Sequence, residues 1–331
     1  MNLIQFIDAD GTRRVGIVND ASTITPITGT QTIRGLALEA IALGNSLPDY
    51  VSSLPAEAGQ DYDPILAEGR VLPPVDHPDN AHTLVSGTGL THLGSAKARN
   101  AMHATLSAEE TTLTDSMKIF RWGVEGGKPT DGTDPVQPEW FYKGDGSIIV
   151  APGDALELPI YADDGGEEAE LAGLYIIADD GTPHRIGFAL GNEFSDHVME
   201  KKNYLYLAHS KLRCASIGPE VYIGELPAAF DGTAAISRNG EDIWSAPVPT
   251  GEDNMAYTFS GLEHHHFKYD AFRRAGDVHI HFFGAAVLSF GEGIALQDGD
   301  VMTVSAPPFH LPLQNPLKKS RAAPAPAVKT L

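Results

Sequence analysis

Glu168-Ala169-Glu170-Leu171-Ala172-Gly173-Leu174-Tyr175-Ile176-Ile177 decides how this 331-residue chain is read. The run predicts a strand. In a strand, residues i and i+2 share a face, so Glu168 and Glu170 project together while Ala169 and Leu171 turn the other way. A second apolar run, Ile186-Gly187-Phe188-Ala189-Leu190, leads into Gly191-Asn192-Glu193-Phe194-Ser195-Asp196-His197 and supplies a third carboxylate, Glu193. Three carboxylates brought together repel one another unless a cation lies between them. Hard oxygen ligands of this kind suit Mg2+, Mn2+ or Ca2+. The competing reading comes from what precedes: Asp163-Asp164-Gly165-Gly166-Glu167 is the sort of acidic run that usually forms a solvated hairpin tip. Spacing alone leaves both readings open.

Composition narrows the function classes. A hydrophobic content of 42% fits a globular protein with a sizeable core. No segment approaches the roughly 20 apolar residues of a membrane helix, and the opening Met1-Asn2-Leu3-Ile4 lacks the basic stretch of a signal peptide. The formal net charge of −21 argues against nucleic acid and anionic membranes as partners. A single cysteine, Cys214, excludes an internal disulfide and a thiolate cluster and fits a cytoplasmic protein.

Along the chain, residues 1–70 read as a small β/α module. Asp8-Ala9-Asp10-Gly11 turns one apolar strand back on another, and a helix follows at about residues 32–43, ended by Gly44-Asn45. Residues 71–82 carry three prolines and read as a stiff linker. Residues 83–317 are dominated by short strands, with turns at Asp179-Asp180-Gly181-Thr182 and Arg238-Asn239-Gly240-Glu241, and with helices at about 95–107 and 195–208. Residues 123–136 read as a long loop. Residues 318–331, with Lys318, Lys319 and Arg321 and then Ala322-Ala323-Pro324-Ala325-Pro326, read as a flexible tail.

Several segments then fall into one order. Pro138-Glu139-Trp140-Phe141-Tyr142-Lys143 comes first, then Glu168-Ala169-Glu170-Leu171, then Asn192-Glu193-Phe194-Ser195-Asp196-His197. Lys211, Gly218-Pro219 and Leu296-Gln297-Asp298-Gly299-Asp300-Val301 follow. This series resembles the catalytic domain of the fumarylacetoacetate hydrolase superfamily, over most of the chain beyond residue 82. The resemblance implies an α+β, β-rich fold, with a small N-terminal β/α module and a catalytic domain built as a large mixed β-sheet roll. It also implies Mg2+ (or Mn2+) held by Glu168, Glu170 and Glu193, a 2-keto acid as the small-molecule substrate, and a homodimer.

Departures from the family pattern bear on the reaction. Glu193 stands where aspartate is usual, His197 replaces an arginine, and the glutamate that often follows the matched His92 is Ser95. The missing partner weighs against a water-activating pair and so against C–C hydrolysis. Around residues 191–197, 263–269 and 279–284 the chain is most similar to the sugar-acid branch, the 2-keto-3-deoxy-pentonate dehydratases. The implied reaction takes 2-keto-3-deoxy-L-arabinonate to 2,5-dioxopentanoate in non-phosphorylative pentose catabolism. Lys143 is expected to transfer the proton, with Lys211 next, and His92 and His197 as alternatives. Substrate contacts are expected from the small-residue loop Ser86, Gly87 and Thr88, from Lys211 and from Ser305. A hydrolase of 2,4-diketo acids and a non-catalytic sugar-acid binder are the competing functions.

Overall fold

A computed structural model describes residues 1–94, 115–321 and 326–331. The helix expected at 95–107, including Ser95, and much of the expected alanine–proline run lie outside the described residues.

The N-terminal part contains β1 (Asn2–Ile7), β2 (Arg13–Val18), β3 (Thr23–Pro26), α1 (Ile33–Leu43), α2 (Leu47–Ser53), β4 (Gln60–Asp61), α3 (Tyr62–Ala67) and β5 (Val71–Leu72). The β1–β2 hairpin and α1 match the sequence reading. Thr32 caps α1 by accepting from Gly35 N, and Gly44 closes it in the left-handed conformation. The expected linker is packed onto this part: β5 pairs with β1, and Gln5 Nε2 donates to Pro73 O.

Next in the chain come β6 (Thr83–Gly87), α4 (Asp115–Gly126), β7 (Phe141–Asp145), β8 (Ile149–Val150) and β9 (Leu156–Leu158). They are followed by β10 (Ala169–Ile177), β11 (Pro183–Asn192), α5 (His197–Lys202), α6 (Leu207–Lys211), β12 (Ala215–Ile217) and β13 (Glu220–Tyr222). The last elements are β14 (Phe230–Arg238), β15 (Glu241–Thr250), α7 (Phe259–Phe267), β16 (Val278–Phe282), β17 (Val301–Ser305) and β18 (Leu313–Lys319). Two sheets result. The larger runs β4-β3-β2-β1-β13-β11-β10-β16-β6-β7, and the smaller β15-β14-β17-β18-β9. The larger sheet therefore crosses the boundary expected at 71–82, because β1 pairs with β13.

The β10–β11 hairpin is the centre of the molecule. All nine residues of β10 are buried. Leu171 and Tyr175 enter the core shared with Ile236, Met302 and Val304 of the smaller sheet. Ala172, Leu174 and Ile176 enter a second core with Leu3, Ile33 and Leu36 of the N-terminal part. Apolar burial on both faces holds this hairpin, at about 1.5–3 kcal/mol for each large aliphatic or aromatic side chain.

Three expectations are corrected. The helix expected at 195–208 is two short helices, α5 and α6, with a 3-10 turn at Tyr204–Tyr206 between them. The loop expected from residue 123 begins inside α4. Lys318 and Lys319, expected in a tail, end β18 and pair with Glu157 and Leu158. Among the described residues, no helix is long and apolar enough to cross a membrane.

Candidate metal centre and active site

The strand alternation sets Glu168 and Glu170 on one side of the β10 start. The β10–β11 register closes the third corner: Glu170 lies opposite Gly191, and Glu193 N donates to Glu168 O at 3.0 Å. Glu168, Glu170 and Glu193 are buried, and one oxygen from each lies within 4.8 Å of the others. The reading of this segment as a solvated tip does not hold.

Two ammoniums answer these carboxylates. Lys211, the last residue of α6, donates to Glu168 Oε1 at 2.6 Å, Glu193 Oε2 at 2.7 Å and Ser195 Oγ at 3.0 Å. Lys143, on β7, makes a close ion pair with Glu193 Oε1 and donates to Phe194 O at 2.8 Å and Lys211 O at 3.1 Å. Its three donors thus reach Glu193, Phe194 O and Lys211 O. His197 opens α5 with Nε2 3.1 Å from Glu168 Oε1. Gly284 N donates to Glu170 Oε2 at 2.7 Å.

The titration pattern shows an unmet negative charge. Burial, followed by the charges of Glu168 and Glu193, pushes the Glu170 carboxyl well above the usual range. Burial pushes Glu168 the same way, but Lys211 and His197 outweigh it and hold that carboxyl well below. Burial would lower Lys211, yet the Glu168 and Glu193 charges hold it well above an ordinary lysine. Burial lowers Lys143. Among the described residues, Glu168 Oε2 and Glu170 Oε1 accept no hydrogen bond from the protein. Glu168 and Glu170 therefore each retain a free carboxylate oxygen for a hard cation.

His92 and Ser305 come to the same place. Together with Glu170, Gly232, Thr250 and Gly284 they line a narrow cavity between the two sheets. Both ring nitrogens of His92 meet hydroxyls, Nδ1 on Thr91 at 3.1 Å and Nε2 on Thr250 at 3.0 Å. Burial lowers its pKa to about 4, so the ring is neutral.

The loop at 86–88 divides. Gly87 lies opposite Phe141, whose ring sits 4.9 Å below Lys211 Nζ. Thr88 turns its hydroxyl to Phe282 O at 3.3 Å. Ser86 pairs in register with His281, and its Oγ is 2.8 Å from His281 Nδ1. That is the face opposite Gly87 and Phe282, so the structure turns Ser86 away from the triad.

Glu139 was passed over in the sequence. Residues 139, 141 and 143 are buried while Trp140 is half-buried and Tyr142 exposed, so Glu139 shares the inner side with Phe141 and Lys143. Its carboxylate packs against Gly89 and takes a hydrogen bond from Tyr204. The signal available in the sequence was spacing alone: Glu139 stands two and four residues before Phe141 and Lys143.

Comparison with known proteins bears on the fold. No family model matches the chain. A protein of Haloferax volcanii described as a probable 2-keto-3-deoxyxylonate dehydratase is 34% identical over 127 residues. That match spans 37% of this chain and 42% of the relative, so the chain spans about two fifths of the relative's length. Two solved structures of 2-keto-3-deoxy-D-arabinonate dehydratase, the apo form and a complex with magnesium and 2,5-dioxopentanoate, superpose with a TM-score of 0.70 at 20% identity. They cover 97% of this chain and 100% of theirs. Fumarylacetoacetate hydrolase from Exiguobacterium antarcticum superposes with a TM-score of 0.58 at 19% identity, covering 97% and 100%. The chain therefore has the fold of these dehydratase and fumarylacetoacetate hydrolase structures.

Proposed function

We propose that this protein is a divalent-metal-dependent hydro-lyase acting on a 2-keto-3-deoxy sugar acid. The specific reaction we assign is 2-keto-3-deoxy-L-arabinonate to 2,5-dioxopentanoate (α-ketoglutarate semialdehyde), a step of non-phosphorylative pentose catabolism in the cytoplasm. The observation that carries the reading is the buried triad itself: one oxygen each of Glu168, Glu170 and Glu193 lies within 4.8 Å of the others. Among the described residues, Glu168 Oε2 and Glu170 Oε1 accept no hydrogen bond from the protein and are left for a divalent cation. The pentonate dehydratases among the relatives support the substrate class.

Glu168, Glu170 and Glu193 would hold Mg2+ (or Mn2+). When bound, the ion supplies Lewis-acid polarisation of a keto oxygen. The protein's own groups do the rest. Lys143 and Gly284 N keep Glu193 and Glu170 in place. Lys211 stays charged and donates a proton to the hydroxyl that leaves C4. Glu139, on the same inner side, takes the proton from C3; water is lost and a C3=C4 double bond forms, and loss of a C5 proton with proton return to C3 gives a C4=C5 enol that tautomerises to the C5 aldehyde. His92 and Ser305 form the wall for the substrate carboxylate and chain, with Gly87 and Thr88 at its edge. Lys143 is the alternative proton donor, since each lysine has three polar partners in the protein. The homodimer implied by resemblance is supported by Leu205, Tyr206 and Leu212, which leave apolar surface exposed, and by Tyr142 on the edge strand β7.

Chelator-treated protein incubated with 2-keto-3-deoxy-L-arabinonate, with and without Mg2+, tests this. Appearance of 2,5-dioxopentanoate only with metal is expected. Metal-independent product overturns the role of the triad. Turnover of only the D-arabinonate or D-xylonate isomer moves the stereochemical assignment. Pyruvate or another cleavage fragment from a 2,4-diketo acid would make the protein a hydrolase.

A further inference from the structure

Glu167 is a buried carboxylate that the reaction above does not use, 2% exposed. It stands next to Glu168, just ahead of β10. Its two oxygens close on one residue: Ser289 N donates to Oε1 at 2.8 Å and Ser289 Oγ to Oε2 at 2.7 Å. Ser289 lies 122 positions away in the chain, so this clamp fixes a long-range loop rather than a local turn.

That loop, residues 284–293, reaches the triad directly at Glu170 and through His197 at Glu168. At its start, Gly284 N holds Glu170 Oε2. Beside the clamp, Phe290 packs on the His197 ring at 5.3 Å between centroids, and His197 holds Glu168 Oε1. The imidazole also lies against Gly166, where any side chain would collide with the ring (an added Cβ would fall 2.3 Å from Nδ1). The His197 ring therefore contacts both Gly166 and Phe290, and Glu167 is tied to both: it follows the first in sequence and clamps the residue preceding the second.

We propose that Glu167 is a positioning residue for the metal centre, whose clamp on Ser289 sets the 284–293 loop as a brace for Glu168 and Glu170. It takes no part in proton transfer. Groups that orient metal-binding carboxylates from behind typically change metal affinity by 10–100-fold when removed. The proposal rests on the reading of the triad as a metal site, and its test is built to separate the two.

The full-length protein and its Glu167→Ala, Glu167→Gln and Ser289→Ala variants are titrated with Mg2+ by calorimetry. Backbone amide exchange of residues 285–292 is measured in the metal-free forms. Glu167→Ala is expected to bind Mg2+ roughly tenfold more weakly, with faster exchange in the loop. Its kcat at saturating Mg2+ and its pH–rate profile should stay near wild type. Glu167→Gln keeps a carbonyl oxygen for Ser289 N and should recover most of the affinity, and Ser289→Ala should fall between. Wild-type affinity in Glu167→Ala overturns the proposal. So does a Glu167→Gln variant as weak as the alanine, since charge rather than the clamp would then be at work. If wild-type protein binds no Mg2+, the metal reading fails on its own. The clamp is then judged by exchange, where unchanged loop protection in Glu167→Ala, or in Ser289→Ala should the former not fold, overturns it.

Discussion

At the scale of single residues, Lys143 decides how the site is divided between chemistry and support. A buried charge that loses its partner costs about 3–5 kcal/mol, and Lys143 is the partner of Glu193 on one side as Lys211 is on the other. Lys143→Met is therefore expected to lower the thermal midpoint and to weaken Mg2+ binding together, because Glu193 is left half-held. Calorimetric titration and thermal melts of the variant read both quantities. A variant that melts and binds metal like wild type but has lost turnover would return Lys143 to proton transfer. The lysine itself was legible in the Pro-x-x-Phe-x-Lys spacing, but its contacts were not. Its contacts with Phe194 O and Lys211 O join segments 51 and 68 residues away. The carboxylates were easier, since the i, i+2 rule puts Glu168 and Glu170 together whatever the rest of the fold does. Ser86 shows the limit of such local reasoning. Its face is set by its register with His281, which no property of residues 86–88 encodes.

At the scale of elements, hairpins were read well and long-range joints were not. The β10–β11 and β14–β15 hairpins each carry a local turn signal between apolar runs, so their pairing needs no distant information. Helix α4 was missed because two glycines, Gly123 and Gly126, lie in it, and its buried residues Met117 and Phe120 pack in a small cluster with Leu90. The joint between β11 and β13, which carries the N-terminal strands into the larger sheet, depends on a residue that looked unremarkable in sequence. A Cβ added to Gly187 would lie 2.3 Å from Tyr222 O and 2.8 Å from Val221 Cγ2. Glycine thus permits the close approach that pairs Phe188 with Tyr222. Gly187→Ala is expected to cost about 1–3 kcal/mol, the usual penalty of overpacking. Mg2+ affinity should survive at low temperature, because the triad lies at the far end of the hairpin. A melting curve identical to wild type would mean that the joint tolerates a side chain and that the close approach is incidental.

At the scale of the whole molecule, acid stability is set by histidines held neutral in the interior. His92, His279 and His281 are lowered by burial to about 4, about 4 and about 3, and burial with its histidine neighbours lowers His266 well below the ordinary value. The hydrogen bonds fix their tautomers. Trp140 Nε1 only donates, at 3.2 Å, so His266 Nδ1 accepts. His266 Nε2 then carries the hydrogen and donates to His279 Nδ1 at 2.9 Å. A proton added to either accepting nitrogen breaks that chain. Unfolded histidine titrates near pH ~6.5. As pH falls from there towards about 4, the unfolded chain binds protons that the folded one refuses, and stability is lost at up to ~1.4 kcal/mol per pH unit for each such group. His197, raised by Glu168 despite its burial, and the raised carboxylates of Glu167, Glu170 and Glu193 act in the opposite sense. The effect must therefore be read as a difference between proteins rather than from one pH profile. His281→Asn keeps an amide facing Ser86 and removes one titrating ring. Urea unfolding of the metal-free protein at about pH 7.5, 6.5 and 5.5 should show the variant gaining on wild type by about 1 kcal/mol per unit below pH ~6.5, and by nothing above it. A stability difference that stays constant across this range would mean that His281 takes up its proton without unfolding, and that the interior of the larger sheet is open to water.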